Sequence, residues 1–198
     1  PAEPPPLNYQ AAAHASALAA GTVLPRVRIG YVVPSNRTAN PKAVANLRSV
    51  IVRAQSYFRT QMAELGFGPK TFLFETESDG VTPRVHTVFV SETDAYLRSD
   101  IWSRTYTAAS NAGLSIWQAG EVWLLVPEAH IQTADGAVSG GTSLGAGSAG
   151  TGGGVAMMGS DSLVMFDPAY ATDDRSYAGM TIPALGPYPL VRGTSFVG

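Results

Sequence analysis

The chain has 198 residues, of which 45% are hydrophobic and 14% are charged, and its formal net charge is −2. This length and apolar content predict one globular domain with a hydrophobic core. The small negative charge gives no electrostatic basis for nucleic-acid binding. The absence of cysteine excludes disulfides and thiolate metal sites, and no segment has the run of roughly 18 apolar residues that indicates a transmembrane helix.

The first residues predict an arm rather than a part of the core. They open with PAEPPP and continue with AAAHASALAAG, which has no wide apolar face. We therefore divide the chain into a Pro- and Ala-rich N-terminal arm, residues 1–25, and a single domain, residues 26–198. The run VRIGYVV, residues 27–33, is β-rich and stops before Pro34, so it predicts the first strand.

The stretch from Asn40 to Gly66 predicts one long amphipathic helix. Its apolar residues recur at spacings of three and four, and they are Val44, Leu47, Ile51, Ala54, Phe58, Met62 and Leu65. Asn40 can cap the free N–H groups, Pro41 suits the first helical position, and Gly66 suits the left-handed stop. One face of this helix must therefore be covered by a sheet.

A second unit of strands and helix follows. The runs KTFLFETE and RVHTVFV are β-rich and are separated by the turn Ser78-Asp79-Gly80, so they can pair as a hairpin or lie as neighbours. Ser91 and Asp94 resemble a capping box, and the pattern after them predicts a second helix that ends near Gly113.

The second half of the chain predicts the middle and the edge of a sheet. EVWLLV, residues 121–126, is apolar without alternation, as expected for a central strand buried on both faces. Residues 136–154 predict an irregular glycine-rich loop. VAMM and SLVMF predict two short strands in a hairpin at the sheet edge. The order of elements predicts an α/β (α+β) fold, a twisted mixed β-sheet with two packed helices.

Two short motifs in the glycine-rich loop lack the context that their chemistry needs. GAGSAG, residues 145–150, matches the dinucleotide-binding fingerprint, but loop rather than strand and helix is predicted on both sides. GTSLG, residues 141–145, matches the nucleophile elbow, but Ser143 lies on no predicted strand-to-helix turn, and no histidine follows it. We therefore predict no catalytic residue in this chain.

The histidines and aspartates predict no metal site. His14, His86 and His130 are far apart, and no pair has the i, i+4 spacing that places two ligands on one helix face. We expect His86 to be a hydrogen-bonded structural residue of a strand and His130 to be exposed in a loop. The aspartates of the C-terminal part fit no calcium-loop motif and are interpreted as turn and cap residues: Asp161, Asp167, Asp173 and Asp174.

Several short motifs between residues 27 and 166 occur together in one known group of proteins. They are, in chain order, Pro34 with Asn36-Arg37, Gln55 with Tyr57-Phe58, Gln61-Met62, Gly66-Phe67-Gly68, Lys70-Thr71-Phe72-Leu73-Phe74-Glu75-Thr76, Val85-His86, Asp94-Ala95-Tyr96 and VAMMGSD. With these motifs the chain resembles the N-terminal half of bacterial secreted zinc metallopeptidase-like proteins of the zincin class.

The resemblance implies the upper subdomain of zincins, whose edge strand pairs with an extended peptide substrate. We expect that edge strand to be Val155, Ala156, Met157 and Met158, or else residues 163–166. Zincins bind zinc through a His-Glu-x-x-His helix whose Glu is the general base, and this motif is absent from the sequence. No zinc ligand or catalytic residue is carried over, so zinc binding and peptide hydrolysis depend on a catalytic segment that follows.

Three functions stay open. The first is the substrate-cleft half of an exported zinc metallopeptidase-like protein, whose partner is a peptide or protein substrate. The second is a non-catalytic, self-assembling extracellular subunit that contacts neighbouring protein chains. The third is a secreted ligand-binding domain that uses Trp117, Tyr170, Tyr177 and Tyr188. All three predict secretion; a chain that begins at Pro1 agrees with a removed signal peptide, although an artificial boundary would give the same start.

Overall fold

The structure is a computed structural model that describes residues 26–132, 138–139, 143–148, 153–160, 175–177 and 180–182. Its strands are β1 (Arg26–Val33), β2 (Leu73–Phe74), β3 (Val85–Phe89), β4 (Glu121–Pro127), β5 (Ile131–Gln132), β6 (Val138–Ser139), β7 (Ser143–Ser148), β8 (Gly153–Met158), β9 (Arg175–Tyr177) and β10 (Met180–Ile182). Its helices are α1 (Pro41–Glu64), α2 (Asp94–Ser99) and α3 (Ile101–Asn111). The predicted arm, residues 1–25, and the predicted strand at residues 162–166 lie outside the described residues.

Six strands form one mixed sheet in the order β2-β1-β4-β8-β7, and β3 also pairs with β1. β1 pairs in parallel with β2, β3 and β4, and β4 pairs in parallel with β8. β7 runs antiparallel to β8. The structure therefore confirms the predicted mixed sheet with packed helices, and it confirms that β4 is central.

The two β-rich runs after α1 lie along the same side of β1. β2 pairs with the start of β1, where Leu73 is opposite Arg26, and β3 pairs with the rest, where Val85 is opposite Ile29. Between them the chain forms a short antiparallel pair around the turn, in which Thr76 bridges to Pro83, the Glu77 N–H donates to the Thr82 carbonyl and the Arg84 N–H donates to the Glu75 carbonyl, both at 2.8 Å. The structure thus shows both arrangements that the sequence left open, since β2 and β3 are neighbours along β1 and the facing ends of the two runs meet as a short hairpin.

Helix α1 begins and ends where the sequence predicts. The Asn40 side chain accepts a hydrogen bond from the Lys42 backbone N–H at 2.9 Å, and Gly66, just after the helix, has a φ of 84°. The apolar face of α1 packs on one face of the sheet in the first half of the helix, whereas the predicted members Phe58 and Leu65 are 36% and 67% exposed. The buried cluster between α1 and the sheet consists of Ile29, Tyr31, Val33, Ala43, Leu47, Ile51, Phe74, Val126 and Met158.

The predicted second helix is two helices, because the chain is extended at Asp100. This residue has φ −156° and ψ 79°, and its carboxylate accepts a hydrogen bond from the Ser103 N–H at 3.2 Å, which caps the start of α3. The cap of α2 is Thr93, not Ser91, because the Thr93 hydroxyl accepts the Tyr96 N–H. Asp100 lies within the apolar pattern of the predicted helix, and an aspartate there can indicate the start of a new helix.

Helices α2 and α3 cover the second face of the sheet. The buried cluster there consists of Val32, Val90, Leu97, Ala108, Ala109, Trp123, Leu125, Ala129, Val155 and Met157. The side chains of Leu125 and Leu114 lie close to the backbone at Gly30. A β-carbon there would be 2.8 Å from Leu125 Cδ2 and 2.9 Å from Leu114 Cδ1. Any side chain at Gly30 would therefore push this layer outward. No helix in the described part of the chain is long and apolar enough to span a membrane.

The region predicted as a glycine-rich loop, residues 136–154, contains strands. β6 and β7 lie within it, and β8 begins at Gly153. Glycine weakens strands in isolation, so local propensity gave no signal for β7. Pairing with β8 nevertheless holds it in the sheet. Glycine also permits this pairing, because a β-carbon on Gly154 would lie 2.9 Å from the Ala146 carbonyl oxygen.

The buried side of α1 supplies a direct test of this packing. Leu47 is 0% exposed, whereas Leu65, just beyond the same helix, is 67% exposed. We expect Leu47→Ala to lower the free energy of unfolding by about 3 kcal/mol, because it removes buried apolar area and leaves a cavity. Leu65→Ala is the matched control and should change it by less than about 0.5 kcal/mol. Equal effects in urea unfolding would contradict the assigned face.

Candidate functional site

Four buried polar side chains lie near the carboxyl ends of β1, β4 and β8. Tyr31 lies near the carboxyl end of β1. Glu128 and His130 follow β4, and Ser160 follows β8. Because parallel strands bring their carboxyl ends to one edge of a sheet, these residues meet although they are distant in sequence. We call them the polar cluster.

Hydrogen bonds connect the members of the polar cluster. The Tyr31 hydroxyl donates to Glu128 Oε2 at 2.5 Å and accepts the Asn40 backbone N–H at 2.9 Å. His130 Nδ1 lies 2.8 Å from Ser160 Oγ and 3.4 Å from Glu128 Oε1. The cluster therefore ties the ends of three strands and the start of α1 together.

The polar cluster contains the residue types of a catalytic triad without its geometry. In a triad the serine and the acid contact opposite nitrogens of the histidine ring. Here Ser160 and Glu128 both contact Nδ1 of His130, and the three residues are only 1%, 5% and 6% exposed, respectively. The arrangement supports a buried structural network rather than nucleophilic catalysis.

The expectation that His130 is exposed is wrong. The backbone continues the pairing of β4 with β1 past the strand end, since the Glu128 N–H donates to the Val32 carbonyl at 2.8 Å. This keeps His130 over the sheet instead of in solvent. Burial also raises the pKa of Tyr31 well above its ordinary value, and the hydrogen bond to Glu128 adds to the rise.

Removal of the Tyr31 hydroxyl tests the network. Tyr31→Phe leaves a buried Glu128 oxygen and the Asn40 N–H without this partner, so we expect the free energy of unfolding to fall by about 2 kcal/mol. Tyr96→Phe is the control, because Tyr96 is 47% exposed. Denaturant unfolding of both variants gives the comparison, and an unchanged midpoint for Tyr31→Phe would argue against the buried bond.

A second polar group joins the loop after β1 to the start of α2. Asp94 accepts hydrogen bonds from Asn36 Nδ2 at 3.0 Å and from Arg37 Nε at 3.0 Å, and its own N–H donates to Asn36 Oδ1 at 2.8 Å. Arg37 Nη2 also donates to the His130 carbonyl at 2.6 Å. Asp94 is thus a direct partner of Asn36 and Arg37, which belong to a different sequence motif.

The partners of Asp94 set its protonation. Burial alone raises the pKa of a carboxyl group, but hydrogen bonds from Asn36 and Arg37 and the charges of Arg37 and Arg98 outweigh it. The pKa of Asp94 in the folded protein is therefore below its usual value. A depressed carboxyl pKa stabilises the fold above the unfolded pKa, and that contribution disappears as pH falls through the folded pKa.

Asp94→Asn tests this linkage. We expect it to lower the free energy of unfolding by about 2 kcal/mol at neutral pH, because charge-assisted hydrogen bonds are lost. The difference from the wild type should shrink as pH falls below about 4, where Asp94 of the unfolded chain takes up its proton, and it should be smallest below the lower pKa of the folded protein. In an Arg37→Met background the same substitution should cost less. A difference that is constant from neutral pH to pH 2 would contradict the assigned ionisation.

His86 lies in β3 and is hydrogen-bonded, as predicted. Its Nε2 lies 2.7 Å from Glu75 Oε2, and its ring lies 5.4 Å from the ring of Trp123. Arg28 completes this group through Glu121 Oε1 at 2.7 Å and through a contact with the Trp123 ring at 5.6 Å. These side chains pair with one another on the sheet.

The described residues do not fit a zinc site. Within them, no three His, Cys, Asp or Glu side chains are grouped so that they could hold a metal ion. The aspartates at 161, 167, 173 and 174 lie outside the described residues. No chemical step is therefore assigned to a metal.

Among the described strands, the one at this edge of the sheet is β7, not β8. The predicted edge residues Val155, Ala156, Met157 and Met158 lie in β8, which pairs with β4 on one side and with β7 on the other. Their position at the edge is therefore wrong, because the glycine-rich strand covers them. Residues 145–147 of β7 are exposed, and no described strand pairs with the outer side of β7.

The predicted aromatic site is described only in part. Trp117 is 44% exposed, and its ring is edge-on to Tyr106 at 6.2 Å. Tyr170 and Tyr188 lie outside the described residues, and Tyr177 is described only as a backbone position of β9. Trp117 is thus the one member of the predicted set whose side chain lies within the described part of the chain.

Comparisons with known proteins gave partial structural similarity. No protein-family model matches the chain, and no curated protein is similar to it in sequence. Catalytic inactive OgpA from Akkermansia muciniphila, in complex with an O-glycopeptide (glycodrosocin) substrate, has a TM-score of 0.39 and 11% identity over 58% of this chain and 33% of its own. Two crystal forms of wild-type OgpA give the same TM-score and identity over 57% and 32%. The chain thus spans about a third of the length of OgpA, and the function proposed below rests on the sheet geometry.

Sequence reasoning missed both the polar cluster and β7. Tyr31 and Glu128 are 97 positions apart, so only the strand register brings them together. The Glu-x-His sequence directly after a central strand marks only two members of the cluster, Glu128 and His130. The composition of SLGAGS gives no strand signal, so β7 follows only from its pairing with β8.

Proposed function

We propose that the sheet binds peptides by strand addition at β7 and forms the substrate-cleft half of an exported zincin-type metallopeptidase-like protein. Strand addition uses main-chain hydrogen bonds for affinity and alternate side chains for specificity. The observation that carries the proposal is the position of β7. Among the described strands it is the antiparallel edge next to β8, and its residues 145–147 are exposed.

The composition of β7 favours an edge strand that pairs with a bound peptide over one that stays unpaired. Exposed edges are usually protected by Lys, Pro, inward charges or bulges, because unpaired N–H and C=O groups invite pairing. The strand SLGAGS has no charged residue and no proline. Its pairing with β8 is regular from Ser143 opposite Met158 to Ser148 opposite Gly153, so its outer groups keep strand spacing. An extended peptide can therefore pair along the strand.

The proposal concerns binding, and hydrolysis needs further groups. Zincin chemistry requires zinc ligands and a general base. The described residues provide neither, and the buried polar cluster has the wrong geometry for serine chemistry. Peptide binding is accordingly the part of the proposed function that the described sheet can perform.

Self-assembly is the second candidate, and the same edge favours it. An unprotected β7 can pair with β7 of another copy, which would join two sheets across an interface. This candidate predicts a dimer that forms with rising protein concentration and dissociates when peptide is added. Peptide binding by a monomer would favour the first candidate.

Alternate backbone methylation of a ligand tests strand addition. In a strand, successive N–H groups point to opposite sides, so only alternate N–H groups of the peptide face β7. We expect a short binding peptide, selected from a random library, to lose about tenfold in affinity when methylated in one alternate frame. Methylation in the other frame should have little effect.

Amide shifts locate the same binding event. Residues 143–148 should show the largest NMR changes, while β3 at the opposite edge is the internal control. Equal losses for both methylated frames, or changes centred on β3, would reject strand addition at β7. Absence of any binding peptide from the library would reject peptide binding itself.

A further inference from the structure

Four neighbouring positions on one face of β7 and β8 carry almost no side chain. Directly opposite residues of paired strands project to the same face, and Gly145 is opposite Ala156 while Gly147 is opposite Gly154. By alternation these positions share the face of Met158, which packs toward α1. We call Gly145, Gly147, Gly154 and Ala156 the glycine shelf; its side-chain atoms are only the Ala156 methyl group. Gly145 and Gly147 are exposed, whereas Gly154 is buried and Ala156 is half-buried.

Among the described residues, close packing requires glycine at Gly154 but not at Gly147. A β-carbon on Gly154 would lie 2.9 Å from the Ala146 carbonyl oxygen and 3.1 Å from Gly147 Cα, so the close approach of β7 requires glycine there. On Gly147 the nearest atom to a β-carbon would be the Gly153 carbonyl oxygen at 3.7 Å, an ordinary contact. Gly147 also has no left-handed φ. Within the described residues, a larger side chain would therefore fit at Gly147.

A glycine that the fold does not require still weakens its strand. Glycine loses more backbone freedom on folding than any other residue and offers no side chain to pack. In strands it often marks a place where another backbone or a ligand approaches closely. Gly147 is exposed, so a ligand backbone or side chain can approach it closely.

Aromatic side chains are the groups that complement glycine on a sheet. A large flat ring on the neighbouring strand covers the bare backbone of an edge glycine, and aromatic pairs contribute to strand pairing across a sheet. We propose that the peptide bound at β7 carries an aromatic side chain opposite Gly147, and that this ring lies on the exposed part of the glycine shelf, Gly145 and Gly147. The inference rests on the proposed strand addition and names the class of peptide that it selects.

Two peptides test the preference on the full chain. In one, threonine alternates with tyrosine; in the other, threonine alternates with alanine; both are flanked by lysine for solubility. We expect the tyrosine peptide to bind about fivefold more tightly, from two cross-strand aromatic contacts. Calorimetric titration measures both affinities, and ring-current shifts of the Gly145 and Gly147 Hα resonances report where the rings lie.

Variants on the two faces of β7 provide the matched comparison. Gly147→Val fills the shelf and should remove the tyrosine preference while the alanine peptide still binds. Ala146→Val lies on the opposite face and should retain the preference, because Ala146 is opposite Val155. Both variants should melt at or above the temperature of the wild type, since valine favours strands. If Gly147→Val fails to fold, the ring-current shifts of the wild type still show whether the aromatic rings lie on Gly145 and Gly147.

The outcomes separate the two proposals. Equal affinity for both peptides, or ring-current shifts absent from the two glycines, would overturn the aromatic preference and leave strand addition standing. Binding of neither peptide, together with no hit from the random library, would overturn strand addition and the aromatic preference with it. A preference that Ala146→Val removes and Gly147→Val retains would place the ring on the wrong face.

Discussion

The parallel pairing of β1 with β4 is the constraint on which the rest of the structure depends. The register runs from Arg26 opposite Glu121 to Val32 opposite Pro127, and the carboxyl-terminal halves of both strands are buried. A pair buried on both faces must be covered by a layer on each side. Helix α1 supplies one layer, and helices α2 and α3 supply the other. Parallel order also requires long crossovers, which these helices provide.

The same pairing explains why polar groups are buried at one end of the sheet. The chain leaves β1 and β4 at the same edge, so the loops after both strands must cross a desolvated region. Buried polar groups are tolerated only when they find partners. Tyr31 with Glu128 and Arg37 with Asp94 meet this requirement, since each pair contacts a neighbouring loop as well. Residues of the polar cluster are of types found in catalytic sites, and their burial is explained by the hydrogen bonds that they make with one another.

The fold was predictable from sequence wherever local patterns and tertiary packing agree. Helix α1 has its periodic apolar face, its Asn40 cap and its Gly66 stop within one stretch, and EVWLLV has the uniform apolarity of a central strand. Prediction failed where partners are distant. The break at Asp100 depends on one capping carboxylate, and β7 depends on β8 because SLGAGS has little strand propensity of its own. The polar cluster depends on register, which no local pattern encodes.

The contrast between the polar cluster and β7 decides where a partner can bind. The members of the cluster already contact one another and are almost fully buried, so a ligand there would have to replace existing hydrogen bonds and open the core. Strand β7 presents the opposite situation. Its inner side is paired with β8, its residues 145–147 are exposed, and a bound strand would add hydrogen bonds without breaking any that the described residues make. Binding at the edge therefore requires less reorganisation than binding at the cluster, although the cluster has the more reactive side chains.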